Sequence, residues 1–215
     1  MAQVPTGTLF FIASAYASAK TTTIVTNASE AVVTSAAHGY SNGDIVEVTS
    51  GWGRINLRNF RIKSVTTDTF VLEGCDTTST SFYPAGTGVG SVRKVSTFTQ
   101  ITGVMNPSSS GGDPKNVEYK FVESDVSNII NDGFSGTSYS MELDADQIGT
   151  AGYTALKSLT EVQTNTCLKM LTRSGSLIFV PCTVALNEAV QLQDGQINKV
   201  KVNFAGNNRL TRYAS

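Results

Sequence analysis

A mainly β protein is predicted: a barrel or sandwich with one packed α-helix, joined to a small all-β module. Three observations carry this. Apolar and polar residues alternate along short runs, most plainly where Val200, Val202 and Phe204 face one way and Lys199, Lys201 and Asn203 the other. Turn-forming pairs such as Asn42-Gly43 and Asp194-Gly195 separate those runs. Only one stretch, near residue 150, has a helical period.

Residues 1–20 read as an extended arm followed by the first strand, Thr8 to Ala15, with Pro5 and Gly7 marking the bend. From Thr21 to about residue 95 the texture becomes that of a separate module. Its expected strands are Ala31–Thr34, Asp44–Val48, Phe60–Val65, Thr69–Leu72 and Gly90–Val95. Ser41-Asn42-Gly43-Asp44 and Thr66-Thr67-Asp68 supply the turns.

From Ser96 to the C-terminus the strands lengthen into a second β domain. Val117, Tyr119 and Phe121 alternate with Glu118 and Lys120, and Tyr139, Met141 and Leu143 with Ser138, Ser140 and Glu142. Before them, Asn106, Pro107, Ser108, Ser109, Ser110, Gly111, Gly112, Asp113 and Pro114 read as a polar, flexible loop. Such a loop is expected to be mobile in a free subunit and ordered by contact with a neighbour.

The helix is expected over Ala151–Gln163. Thr150 can cap it, and Ala155, Leu159 and Val162 form the packing face with Ala151, Leu156 lying beside them. Lys157, Ser158 and Glu161 face away. Three strands then close the chain: Gly175–Ala185, Glu188–Leu192 and Ile197–Phe204.

Composition narrows the function classes. Of 215 residues, 15% are charged, against about 25% in ordinary globular chains. Ser, Thr, Asn and Gly take their place, which suits a subunit covered by copies of itself. A net charge of −1 argues against holding nucleic acid, which needs a clustered excess of Lys and Arg. Cys75, Cys167 and Cys182 have no paired spacing, and read as reduced, buried residues of a cytosolic chain. Residues 8–17 are apolar, but nothing basic precedes them, so they do not read as a secretion signal. No apolar run approaches the ~20 residues of a membrane span.

No constellation reads as catalytic, cofactor-binding or metal-binding. Glu142, Asp144 and Asp146 lack the closing ligand of a calcium loop and fit a strand end running into a helix. His38 is the single histidine and lies in a turn-rich segment. Gly86-Thr-Gly-Val-Gly90 lacks the lysine and following helix of a phosphate loop. Serine is abundant, but no GxSxG elbow is present. Asn27-Ala28-Ser29 fits the glycosylation triplet but carries no weight without a secretion signal. Trp52, between two glycines, is either a plug over a small core or an exposed contact.

The order of elements from Ser96 onward resembles the major tail tube protein of long-tailed, non-contractile bacteriophages. The matching order is the strand Thr97–Val104, the loop, Val117–Phe121, a turn near Asp132-Gly133, and the strand Thr137–Leu143. Asp144-Ala-Asp146 then leads into the helix, followed by Thr166–Leu171, Arg173-Ser-Gly175 and the closing strands. Val4–Phe11 resembles the family's first segment. Ala37–Val46, Phe60–Val65 and Thr69–Leu72 resemble a small β module found in phage structural proteins, which implies an insertion in the subunit, displayed on its outside.

The resemblance implies a structural subunit, without enzymatic activity, that forms stacked hexameric rings around a DNA channel in the virion tail, assembled in the host bacterial cytoplasm. Its implied partners are itself and the tape-measure, tail-tip and tail-terminator proteins. DNA passes without specific binding, and no membrane insertion is implied. The polar loop at 106–113 would stack the rings. Two other readings stand beside it: a different virion β-protein, such as a capsid decoration or tail-tip subunit, and a carbohydrate-binding β-sandwich.

Overall fold

The computed structural model of the chain describes residues 6–214. The arm expected through Pro5 lies outside them. The first strand, β1 (Leu9–Tyr16), drives Phe10 and Ile12 into the main core. The module follows with β2 (Lys20–Thr22), β3 (Ile24–Val25), β4 (Val32–Thr34), β5 (Ile45–Ser50), β6 (Arg58–Lys63) and β7 (Thr69–Leu72). Four of its five predicted strands lie within a few residues of their expected bounds. The fifth extends much further: β8 (Gly90–Ile101) is one unbroken strand of 12 residues.

The first half of β8 pairs with β5, and its second half pairs with β1. The sequence boundary at residue 95 therefore falls inside a strand, and the one at residue 20 falls inside β2. Beyond β8 come β9 (Val104–Ser110), β10 (Pro114–Tyr119), β11 (Asn128–Phe134), β12 (Ser138–Asp144), a single 3-10 turn, and the helix α1 (Ala151–Val162). The chain closes with β13 (Thr166–Leu171), β14 (Leu177–Gln191), β15 (Lys199–Gly206) and β16 (Thr211–Tyr213).

The continuous pairing path runs β3-β4-β7-β6-β5-β8-β1-β13-β14-β15-β12-β9. Three buried clusters lie along it. One, under the helix, includes Ile12, Leu143, Leu156, Leu168, Val202 and Phe204. Another fills the module around Val33, Val46, Trp52, Phe60 and Phe70. The third, Ala13, Val95, Cys167, Phe179 and Tyr213, packs at the joint between them. The C-terminal β16 has no signature in the sequence. It is fixed by the joint: Thr211 Oγ1 donates to the Asn59 carbonyl at 2.6 Å, and Tyr213 Oη accepts from the Arg61 amide at 3.0 Å.

Trp52 is a plug: it is buried, and its Nε1 donates to the Pro84 carbonyl at 2.9 Å and to Thr87 Oγ1 at 3.0 Å. His38 is buried in the module, its Nδ1 accepting from the Tyr40 amide at 3.0 Å. Asp144 caps the 3-10 turn, its carboxylate accepting from the Asp146 amide. All three cysteines are free and buried, and desolvation pushes the Cys75 thiol up to about 11 and that of Cys182 up to about 12.

Two expectations for the helix need correction. Its buried face is Gly152, Tyr153 and Leu156, with Ala155 and Leu159 packed at the edge of the core, whereas Val162 is 64% exposed. The reason is local. Gly152 leaves no room for a Cβ because the Gln100 carbonyl of β8 fills that space. This close approach rotates the seam toward Leu156, and Thr160 Oγ1 accepts from the Leu186 amide of β14 at 2.9 Å to fix it. Gln163 then adopts a left-handed conformation and turns the chain away just after Val162.

Candidate assembly surfaces

The segment expected to be a flexible loop is an edge strand. β9 pairs antiparallel with β12, with Ser110 opposite Ser138 and Ser108 opposite Ser140. Each serine pair shares a hydroxyl–hydroxyl hydrogen bond of 2.8 Å. Asn106 sits at φ +47° beside Pro107, where the register shifts, and its Nδ2 donates to Glu142 Oε2 at 2.7 Å. A bulge on an edge is a place where a sheet tolerates proline. Turn-prone residues thus become a strand because β12 offers matching hydroxyls. Only Gly111, Gly112 and Asp113 connect β9 to β10, and both glycines have positive φ. Residues 106–113 are exposed, and β9 ends the pairing path, so among the described residues no strand faces its outer row of backbone groups.

The second surface is a hairpin that the sequence placed elsewhere. Asp132-Gly133, expected as a turn, lies inside β11, and the actual turn is at the far end, around Phe121–Ser124. β10 and β11 form a separate two-stranded sheet, with Pro114 opposite Phe134 and Tyr119 opposite Asn128. Every residue of both strands is exposed. The alternation of Val117, Tyr119 and Phe121 is therefore not one buried face: Val117 is 52% and Phe121 56% exposed. Ile129, Ile130 and Val126 are equally bare on the opposite strand and its tip. The base of the hairpin is tied by the Ser135 amide, which donates to the Asp113 carbonyl at 2.8 Å.

A cleft of about 980 Å³ opens between this base and the module, lined by Arg54, Phe82, Asp132, Phe134 and Arg209 among others. No sequence motif marks it, because its walls come from five separate segments.

Arg93, paired with Glu47 inside the module, reaches Asn165 and Tyr16 outside it. Arg93 Nε donates to Glu47 Oε1 at 2.8 Å, its Nη2 donates to the Asn165 carbonyl at 3.2 Å, and its guanidinium lies 3.9 Å over the Tyr16 ring. Burial raises the Glu47 carboxyl above the usual glutamate range, against the opposing pull of Arg93. Among the described residues no cluster of three His, Cys, Asp or Glu could hold a metal ion, and no helix is long and apolar enough to cross a membrane.

The chain is thus strand-rich, with an exposed sheet edge and a projecting apolar hairpin. A family model described as phage tail tube protein, TTP, matches residues 50–215. The chain belongs to that phage tail tube protein family. The match begins at the end of β5, so it takes in much of the module as well as the domain that follows. A solved structure described as the tail of an empty GTA particle with C6 symmetry is 12% identical, with a TM-score of 0.43 over 54% of this chain and 87% of that one. No curated protein matches.

Proposed function

We propose that this tail tube subunit forms hexameric rings that stack into a hollow tube, and that DNA leaves the virion through the channel. The observation that carries the reading is the β10–β11 hairpin. A two-stranded hairpin alone in water is marginal at best. This one bares Val117, Phe121, Val122, Ile129, Ile130 and Phe134, each at least half exposed. A neighbouring subunit is the partner that would cover them, and membership of a tail tube protein family supports a tube as what such neighbours would build. The open edge of β9, with residues 106–113, supplies the second contact, between subunits or between rings. The module spanning 21–95 would project outward from the tube wall. Tape-measure, tail-tip and tail-terminator proteins would meet the tube along its length and at its ends, after assembly in the host cytoplasm. A net charge of −1 is consistent with a conduit that lets DNA pass without holding it.

Removing the hairpin tests the reading cleanly, because Asp113 and Ser135 are already hydrogen-bonded neighbours. Residues 114–134 are replaced by two glycines. The shortened subunit should melt as a folded monomer and form no tubes in negative-stain images. Tubes indistinguishable from those of the intact chain would overturn the assignment.

A further inference from the structure

The cleft at the hairpin base holds two guanidinium groups, those of Arg54 and Arg209, and a third, that of Arg58, lines the adjoining hollow. Arg54, in the turn after β5, lies 3.3 Å over the Phe82 ring, and Arg209, after β15, lies 4.7 Å over the Phe134 ring. Both arginines are exposed. Arg58 lies deeper between them. It donates to the carbonyls of Arg209 at 3.1 Å, Arg54 at 3.3 Å and Leu210 at 3.5 Å. Desolvation lowers its pKa, since these partners are dipoles rather than anions. None of the three is in a salt bridge among the described residues. Asp132 on the hairpin wall and Asp76 in the adjoining hollow are the acidic residues lining this region, two carboxylates against three guanidiniums. Phe82 and Phe134 stay 52% and 50% exposed. The cleft thus suits carboxylates flanked by apolar side chains.

The far end of the hairpin has that chemistry. Between Phe121, Val122 and Val126 it carries Glu123 and Asp125, and Val122 is fully exposed. The turn is preformed: the Ser124 amide donates to the Phe121 carbonyl at 3.1 Å, and Ser124 Oγ accepts from the Val126 amide at 3.2 Å. A preformed turn has less conformational freedom to lose on docking. It cannot reach the cleft of its own chain. The cleft is walled by the hairpin's base, and a strand the length of β11 sets the tip about 20 Å away.

We propose that the cleft formed by Arg54, Arg209, Phe82 and Phe134 receives the Phe121–Val126 tip of a second copy of this chain. The inference rests on the tube reading above and gives it a direction. Tip-to-base contact is heterologous, so it repeats from subunit to subunit instead of closing on itself as a two-fold dimer does. Opposite charges set the register of the dock, and the five apolar side chains exclude water from it.

Two full-chain variants test this. R54E/R209E reverses the cleft, and E123R/D125R reverses the tip. All four positions are exposed, so thermal melts of both should match the parent. Like charges facing across an interface should raise the concentration needed for tube formation by at least about a hundredfold in each variant alone. Mixing the two should restore tubes, because each variant's tip then fits the other's cleft. Undiminished assembly of either variant, or a mixture that stays unassembled, overturns the dock while leaving the tube intact as a reading.

A second measurement does not require tubes. R54C and E123C chains are mixed under mild oxidation, with S174C replacing R54C as the exposed control. The native cysteines are buried and do not compete. A disulfide-linked heterodimer well above the control supports the dock, even if the parent forms no tubes and the tube reading itself fails. A yield equal to the control overturns it.

Discussion

Leu156 is the position where the helix assignment is most exposed to experiment. It is fully buried beneath α1, which packs on β14, β8 and β1. Leu156→Ala removes three carbons, worth about 0.8 kcal/mol each in lost transfer, or about 2.4 kcal/mol together. The cavity left behind raises the cost toward about 5 kcal/mol if β14 and Thr160 hold their places. For a chain of this size each kcal/mol lowers the melting midpoint by about 2–4 °C, so the expected loss is about 5–20 °C. Val162→Ala, at 64% exposure, should move the midpoint by no more than about 2 °C, as surface changes cost within about 0.5 kcal/mol. Thermal circular dichroism of unassembled subunits reads both. A Leu156 variant that melts with the parent, or above the Val162 variant, would show that the Gly152–Leu156 seam does not face the core.

Other outcomes follow from the module and the joint. Gly88→Ala should destabilise by about 1–3 kcal/mol, because a Cβ there would sit 2.7 Å from a Trp52 ring that its own hydrogen bonds hold in place. Emission from this single tryptophan, followed through a urea titration, gives the midpoint. Glu47 makes stability depend on pH with a definite sign. Its folded carboxyl binds a proton more tightly than the unfolded one, so its contribution is present at low pH and lost as pH rises through the folded value. The stability of the parent relative to Glu47→Gln should therefore decline as pH climbs from about 4.3, the unfolded value. Melts from pH 4 upward check this, and a difference that grows in the parent's favour would refute it.

What the sequence revealed, and what it hid, follows from where each signal resides. The inner faces of β15 and β12 were legible because Val200, Val202, Phe204, Met141 and Leu143 alternate with polar residues and are all buried. The module's strands were legible for the same reason, and because turn-forming residues separate them. The helix was legible as an element, yet its buried seam was not. Its rotation is set by Gly152 meeting a backbone carbonyl from another strand, which no helical wheel contains.

β9 was unreadable because Asn, Pro and Ser are individually turn-prone, and only the serines of β12 make them a strand. The hairpin was half legible. Its alternation showed one strand, Val117–Phe121, while β11 was read as a turn at Asp132-Gly133, and period-two patterning does not say whether an apolar face is covered by the same chain or by a copy. The cleft was invisible: Arg54, Phe82, Phe134 and Arg209 meet only through the fold.

Negative-stain electron microscopy of the purified full chain, taken through a concentration series, reads ring and tube formation without an intermediate. Hollow tubes of uniform diameter are expected, with end-on views showing six-fold symmetry and side views a regular axial repeat. A protein that stays monomeric at every concentration, and also when supplied with a tail-tip assembly as initiator, would contradict the tube reading.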